Sequence, residues 1–352
     1  MERLVRSCYK KKSGYAFAKK AEDIAREYGI RTVARLASNE NPEPISPAAR
    51  AAAEAALPEV NRYPDERVNV LMNALRARYG DYHFVTGVGM DGIIETLFRT
   101  LVEPGEGVAI AAPTFSFYSL AAMGQGAEII TVPRETDFSI DPGTLIRAAG
   151  PAKITVVCSP NNPTGNATPV DTVAEILEGI EGLLFLDNAY IEFSDHDYLP
   201  LMKKHENLVL GRTFSKVHSL AGLRIGYAFT PRWLPPWYQR ASTPFTVNSV
   251  SAAAAAAALP DRDHAGRYIA QVRTWRRRFA EEIKFPVLPS DANFVMIDVR
   301  PHTGDRVVEA LARRGVLVRS CRSFSGLPDH FIRVSVGEDW ENERFVKEIN
   351  TL

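Results

Sequence analysis

The feature that most constrains the fold of this chain is an alternation, from about residue 68 onward, of helix-like stretches with short apolar runs. The apolar runs occupy residues 107–113, 153–160, 182–187 and 208–215. Strands that are separated by helices tend to pair in parallel and to be buried on both faces. The alternation therefore predicts an α/β fold with a mixed, mostly parallel sheet sandwiched by helices.

The pattern changes after residue 260. An arginine-rich helical stretch is followed by an apolar run at 292–299, a helical pattern near 304–314 and apolar runs at 315–320 and 330–337. This order is typical of a separate, smaller α+β domain. A chain of 352 residues is also long enough for two domains. We therefore predict a large domain at 41–258, a small C-terminal α+β domain at 259–352, and an N-terminal segment, 1–40, that packs with the small domain.

Composition excludes several classes of partner. The chain has 42 basic and 42 acidic side chains, so no net positive charge attracts nucleic acid. Its three cysteines, Cys8, Cys158 and Cys321, are far apart and indicate neither a disulfide framework nor a zinc site. There is no apolar run of about 18 residues and no signal-peptide pattern. We expect a cytoplasmic protein without metal, nucleic-acid or membrane partners.

Polar residues follow three of the apolar runs: Asn162, Asp187 and Lys216. Because parallel sheets bind ligands at the carboxyl ends of their strands, these residues are candidates for one pocket. A partly buried Lys216 could have a lowered pKa and act as a nucleophile, and Arg224 is suited to phosphate. Taken singly, each residue has a simpler interpretation, since such a lysine is usually solvated and an aspartate at a strand end often caps the next helix.

A set of short motifs, in order along nearly the whole chain, resembles the fold-type I pyridoxal-phosphate (PLP) aminotransferases of class II. The resemblance is greatest to the histidinol-phosphate aminotransferase branch. The motifs are LASNENP at 36–42, NRYPD at 61–65, GVGMDGIIE at 87–95, PTFSFY at 113–118, SPNNPTG at 159–165, DNAYIEF at 187–193, RTFSK at 212–216, LAGLRIGY at 220–227, PSDANFV at 289–295, GVLVRS at 315–320 and IRVSVG at 332–337.

This resemblance implies pyridoxal 5'-phosphate as cofactor and three catalytic residues: Lys216, Asp187 and Tyr190. Lys216 would bind PLP covalently and, once displaced by the substrate amine, move the proton that leaves the substrate α-carbon. Asp187 would pair with the pyridine nitrogen and keep it protonated, so that the ring can accept electrons. Tyr190 and Asn162 would contact the phenolic oxygen of the cofactor.

Further cofactor contacts are implied by the same resemblance. Backbone N–H groups at a helix N-terminus would bind the PLP phosphate together with two hydroxyls and a guanidinium, and an aromatic ring, Phe115, would stack on the cofactor. The phosphate-binding residues would be Gly89, Met90, Asp91, Thr213, Ser215 and Arg224.

Substrate and subunit contacts are also implied. Arg333 would hold the substrate α-carboxylate with its two guanidinium nitrogens, and Arg319, Tyr15 and Asn39 would lie near the substrate. Tyr63 resembles a tyrosine that crosses the interface of a homodimer to reach the neighbouring PLP phosphate.

The chain departs from the family pattern in three places. Asn188 replaces the usual glutamate and carries no charge, residues 243–248 replace a stretch that commonly reads Pro-Tyr-Asn, and the order Gly-Met-Asp-Gly at 89–92 differs from the family's phosphate-binding turn. The departures at Asn188 and at 243–248 affect the prediction of the substrate more than that of the cofactor, and the backbone donors of the turn at 89–92 are retained.

The reaction implied is transfer of an amino group from histidinol phosphate to 2-oxoglutarate, giving imidazole acetol phosphate and glutamate in histidine biosynthesis. An aromatic amino acid aminotransferase is the main alternative, and a threonine-phosphate decarboxylase is a more distant one. Outside this class, a non-catalytic PLP-binding protein would keep the fold but lose the chemistry. A nicotinamide dehydrogenase is disfavoured because no GxGxxG follows an early strand.

Overall fold

A computed structural model describes residues 2–11, 14 and 20–352 of the chain. The strands are β1 (Ala34–Arg35), β2 (His83–Val88), β3 (Gly107–Ala112), β4 (Glu128–Pro133), β5 (Ile154–Cys158), β6 (Leu183–Asp187), β7 (Leu208–Thr213), β8 (Ile225–Thr230), β9 (Phe294–Asp298), β10 (Val316–Leu317), β11 (Arg319–Ser320) and β12 (Phe331–Ser335).

The α-helices are α1 (Ser7–Lys11), α2 (Ala21–Tyr28), α3 (Pro47–Ala56), α4 (Asn69–Tyr79), α5 (Gly89–Leu101), α6 (Phe117–Gln125), α7 (Pro142–Ala149), α8 (Val170–Gly179), α9 (Pro235–Ala241), α10 (Ser249–Ala258), α11 (Arg262–Glu282), α12 (Gly304–Ala312) and α13 (Asp339–Ile349). Short 3-10 helices lie at Glu2–Leu4, Leu57–Glu59, Ile191–Phe193, Leu199–Lys203, Ala221–Leu223 and Cys321–Ser323. Within the described part of the chain, none of the helices combines the length and apolar character that crossing a membrane requires.

Seven strands form the central sheet, in the order β2-β8-β7-β6-β5-β3-β4. All of its neighbouring pairs from β7 to β4 are parallel, whereas β8 is antiparallel to both β7 and β2. The four predicted apolar runs are β3, β5, β6 and β7. The predicted α/β fold with a mixed, mostly parallel sheet is confirmed.

Two apolar cores cover the two faces of this sheet. Because successive side chains of a strand point to opposite faces, Val156 of β5 lies in one core and Val157 in the other. The first core contains residues of α5, α6 and α11, and the second contains residues of α4, α8 and α10. Burial on both faces explains why these strands are continuously apolar.

A three-stranded antiparallel sheet, in the order β11-β12-β9, is built from the C-terminal part of the chain. The apolar run at 315–320 is not one strand, because it divides at Val318: β10 pairs with β1, and β11 pairs with β12. The backbone N–H of Ser335 on β12 also donates to the carbonyl of Leu36 at 2.9 Å. Residues 34–36 therefore lie against the C-terminal part of the chain.

Candidate active site

A cavity of about 390 Å³ opens at the carboxyl ends of β5, β6 and β7. It is closed on one side by the chain that leads away from β1 and on another by β11 and β12. Predicted site residues that line it are Asn39, Met90, Asp91, Phe115, Asn162, Asp187, Tyr190, Thr213, Ser215, Lys216, Arg224, Arg319 and Arg333.

Lys216 lies in the loop after β7, where its side chain is half-buried. Its Nζ is 3.5 Å from the carbonyl oxygen of Ser38 and 5.5 Å from the centroid of the Tyr190 ring. Burial, together with the nearby Arg333 guanidinium, lowers the pKa of the Lys216 amine to about 8. About a tenth of this amine is therefore uncharged at pH 7, far more than for an ordinary lysine, and the uncharged form is the nucleophile.

Asp187 is the last residue of β6 and is 3% exposed. Its Oδ1 accepts a hydrogen bond from the backbone N–H of Ala189 at 2.9 Å, and its Oδ2 accepts one from the Tyr118 hydroxyl at 2.6 Å. Burial raises the pKa of this carboxyl to about 6, and the two hydrogen bonds act in the opposite direction. Asp187 is therefore mostly ionised at neutral pH and can pair with a cationic nitrogen.

Four side chains that line the cavity form two hydrogen-bonded pairs. Arg333 donates through Nη1 to Asn162 Oδ1 and through Nη2 to the carbonyl of Ala37, both at 2.6 Å. Asn39 Nδ2 donates to the Tyr190 hydroxyl at 3.1 Å. The Arg333 guanidinium is buried without a carboxylate among these partners, so it can accommodate an anionic group of a substrate.

Backbone and side chains at the start of α5 form a corner suited to an anion. Gly89 has a φ of +66°, and a Cβ built on it would lie 2.6 Å from Arg224 Nη2, so the close approach requires glycine. Arg224 Nη2 also donates to Asp91 Oδ2 at 3.0 Å. The Thr213 hydroxyl donates to Ser215 Oγ at 3.0 Å. A helix N-terminus, a guanidinium and two hydroxyls fit a phosphate group.

Some predicted residues lie elsewhere. Gly89 borders the cavity through Arg224 but does not line it. Tyr63 is 82% exposed and stacks on Phe245, with ring centroids 4.7 Å apart. Tyr15 falls outside the described residues.

The departures from the family pattern at Asn188 and at 243–248 also lie away from the cavity lining. Asn188 Nδ2 donates to the carbonyl of Ser159 at 2.8 Å, and residues 243–247 border a second cavity, next to Asp65 and Tyr238.

Sequence reasoning assigned no role to four polar residues that line the cavity: Ser38, Glu40, Tyr118 and Cys158. Nothing in their local sequence distinguishes these four residues. Within the described ranges, no group of three or more His, Cys, Asp or Glu side chains could hold a metal ion.

This arrangement, a half-buried lysine of lowered pKa beside an ionised aspartate and an anion-binding corner, is suited to an α/β enzyme that uses an amine nucleophile. Residues 31–349 match the family described as aminotransferase class I and II. The chain belongs to this family, and it is an aminotransferase.

Individual relatives agree with this assignment. The chain is 62% identical to histidinol-phosphate aminotransferase of Methanoculleus marisnigri, with 100% of each chain covered. It is 54% identical to the enzyme of the same name from Methanosphaerula palustris, again over 100% of each chain. The fold is also similar to that in the crystal structure of histidinol-phosphate aminotransferase from Sinorhizobium meliloti in complex with pyridoxal-5'-phosphate. The TM-score is 0.87 and the identity 25%, with 99% of this chain and 97% of the other covered. The resemblance stated from the sequence is confirmed.

Proposed function

We propose that this protein transfers the amino group of histidinol phosphate to 2-oxoglutarate, producing imidazole acetol phosphate and glutamate in histidine biosynthesis. The observation that carries the proposal is the 62% identity, over the full length of both chains, to a histidinol-phosphate aminotransferase. The prediction that the cofactor is PLP is confirmed by the family and by the solved relative that contains it.

The residues present fit this cofactor. Lys216 would attach it covalently, Asp187 would pair with its ring nitrogen, and Tyr190 and Asn162 would contact its phenolic oxygen. When bound, PLP supplies a ring that withdraws electrons from the substrate α-carbon. The phosphate would be held by Gly89, Met90, Asp91, Thr213, Ser215 and Arg224, and Phe115 would stack on the ring.

Lys216 is also the proposed general base and acid of the reaction. Its pKa of about 8 lies close to neutral pH, where a group exchanges protons most efficiently. Once displaced by the substrate amine, the free Lys216 amine would take the proton from the substrate α-carbon and deliver it to the C4′ position of the cofactor. Asp187 keeps the opposite end of the site negatively charged during this transfer.

Two arginines are the proposed anchors for the substrate. Arg319 and Arg333 lie opposite each other on the paired strands β11 and β12, and both line the cavity. Guanidinium groups form bidentate hydrogen bonds with both carboxylate and phosphate, so one pair could serve a phosphorylated donor and then a dicarboxylic acceptor. Asn39, fixed by Ser335 Oγ at 2.8 Å, and Tyr15 are the remaining proposed substrate contacts.

The domain boundaries, the homodimer and the cytoplasmic location are also proposals. The division into 1–40, 41–258 and 259–352 is supported by the pairing of β1 with β10 and by the C-terminal origin of the three-stranded sheet. An exposed Tyr63 supports a dimer in which this side chain reaches the neighbouring site. Three free cysteines agree with a reducing compartment.

Absorbance of the PLP-loaded protein tests the donor. Histidinol phosphate, added without any oxo acid, should abolish the visible band of the lysine-bound cofactor, and 2-oxoglutarate should restore it. A band that responds to phenylalanine but not to histidinol phosphate would instead identify an aromatic amino acid aminotransferase, and release of carbon dioxide from threonine phosphate would identify the decarboxylase. Bound PLP that responds to no amino compound would indicate a non-catalytic protein.

A further inference from the structure

Tyr118 is a fully buried tyrosine in the lining of the cavity, and two of its contacts are with proposed cofactor-binding residues. It lies in the first turn of α6 and has an exposure of 0%. Its hydroxyl donates to Asp187 Oδ2 at 2.6 Å. Its ring meets the Phe115 ring edge to face, with centroids 5.5 Å apart and an interplanar angle of 86°.

The hydrogen bond from the Tyr118 hydroxyl restricts rotation of the Asp187 carboxylate. Each of its oxygens accepts one donor: Oδ1 takes the Ala189 N–H, and Oδ2 takes the Tyr118 hydroxyl. Rotation about the carboxylate bond would break both hydrogen bonds at once. The backbone donor is present whatever the sequence at 118, so Tyr118 supplies the side-chain part of this restraint.

The aromatic contact restrains the second group. Edge-to-face packing is a preferred geometry for aromatic pairs, and the Tyr118 ring is itself fixed by its bond to Asp187. Phe115 therefore rests against a side chain that has little freedom to move. One residue thus links the carboxylate that would face the cofactor nitrogen to the ring that would stack on the cofactor.

From these contacts we propose that Tyr118 is a positioning residue of the active site, which holds Asp187 and Phe115 in the arrangement that the cofactor ring requires. The proposal rests on the cofactor role proposed for Asp187. Tyr118 does not touch the reacting atoms and acts through these two neighbours.

The charges around Asp187 agree with this role. It faces Asp91 of α5, Cys158 of β5, Lys216 after β7 and Tyr118 of α6. Burial raises the pKa of the Tyr118 hydroxyl well above its ordinary value, so the hydroxyl keeps its proton and donates to the carboxylate. Hydrogen bonds to an ionised group are among the stronger ones, so this bond favours the ionised form of Asp187.

The test is Tyr118→Phe in the PLP-loaded enzyme, with the cofactor's dissociation constant and its absorbance against pH as readouts. Loss of one hydrogen bond to a charged group should raise the dissociation constant about 10-fold. The pH midpoint of the visible band should move upward, because a less firmly paired ring nitrogen withdraws fewer electrons from the lysine nitrogen bound to the cofactor.

Tyr238→Phe is the matched control. Tyr238 is also buried, and its hydroxyl donates to the carbonyl of Thr86 at 3.2 Å, outside the cavity lining. The Tyr238→Phe variant should lose thermal stability to a similar degree. Its dissociation constant for PLP and the pH midpoint of its visible band should be unchanged. If Tyr118→Phe behaves like this control, the proposal is overturned.

Two further variants separate the possible failures. Asp187→Asn should move the midpoint of the band further upward than Tyr118→Phe does, and adding Tyr118→Phe to it should move the midpoint no further, since Tyr118 acts through Asp187. A full Tyr118→Phe effect in the Asp187→Asn background would overturn the proposal, whereas an Asp187→Asn enzyme that binds PLP normally would reject the role of Asp187 itself. If Tyr118→Phe does not fold, 3-fluorotyrosine at position 118, a stronger donor, should move the midpoint downward, and an unmoved midpoint would contradict us.

Discussion

Lys216 is the residue at which the electrostatics of the site have the most direct chemical consequence. Its burial and the Arg333 charge both disfavour the ammonium form, and Glu40 and Asp91 only partly compensate. The amine therefore titrates near pH 8 rather than near its usual value, which brings it within the pH range in which the enzyme would work.

We expect the covalent binding of PLP to the apo-enzyme to accelerate with pH and to level off above the Lys216 pKa, which is about 8. Only the neutral amine attacks a carbonyl, so the rate should fall about tenfold for each pH unit below that value. Stopped-flow growth of the visible band between about pH 6 and pH 9 measures this. Arg333→Gln should move this rate profile to higher pH, because it removes a cation next to Lys216. In the wild-type protein, a rate that keeps rising up to the pKa of an ordinary lysine would contradict the expectation.

Some residues of this site could be predicted from the sequence and others could not, for a physical reason. Asn162, Asp187 and Lys216 follow apolar strands of a parallel sheet, and the ends of such strands must meet at one edge. Glu40 and Tyr118 reach the same cavity from segments whose placement depends on tertiary packing. Their local sequence therefore contains little that marks them.

Among the strands, those that are buried on both faces could be predicted from the sequence. The runs that became β3, β5, β6 and β7 are covered on both faces, so they are continuously apolar. The two antiparallel strands β2 and β8 were not distinguished from their surroundings, and both contain glycine. The division of 315–320 between two sheets depends on which partner each half finds, and partner choice is not encoded in the strand itself.

The loop after β5 holds Asn162, and it is fixed by a close contact between Gly165 and the segment before β9. Gly165 has a φ of +85°, and a Cβ on it would lie 2.4 Å from Ser290 Oγ. Its carbonyl accepts the Asp291 N–H at 2.7 Å, and the Ala167 N–H donates to Asp291 Oδ2 at 3.1 Å. These bonds connect the central sheet to the strands that hold Arg333.

Gly165→Ala should therefore misplace Asn162 relative to Arg333 and raise KM for both substrates. Gly105→Ala is the matched control, because Gly105 has a φ of +90° but nothing within 4 Å of the added Cβ. The control should show only the cost of backbone strain, about 1 kcal/mol in the free energy of unfolding. Equal stability losses and unchanged KM values in both variants would show that the Ser290 contact does not position the loop.

For the whole molecule, the proposed dimer makes each site depend on two chains. The Tyr63 ring is exposed, and it stacks on the partly exposed ring of Phe245. Exposed aromatic pairs are unusual unless they contact a partner. A second copy of the chain is the partner that the family resemblance implies, with Tyr63 completing the phosphate corner around Arg224 in the neighbouring subunit.

Mixing two defective chains tests whether Tyr63 crosses between subunits. A hybrid dimer contains one Lys216→Ala chain and one Tyr63→Ala chain. One of its two sites takes Lys216 from the Tyr63→Ala chain and Tyr63 from the Lys216→Ala chain, so that site is intact. Random reassembly should restore about a quarter of wild-type activity at limiting PLP, because about half of the dimers are hybrids with one complete site each. Trp237→Ala, which removes another exposed aromatic side chain, should retain its own activity and gain nothing from mixing. Activity no higher than the average of the two parents would mean that Tyr63 serves its own subunit or no site at all.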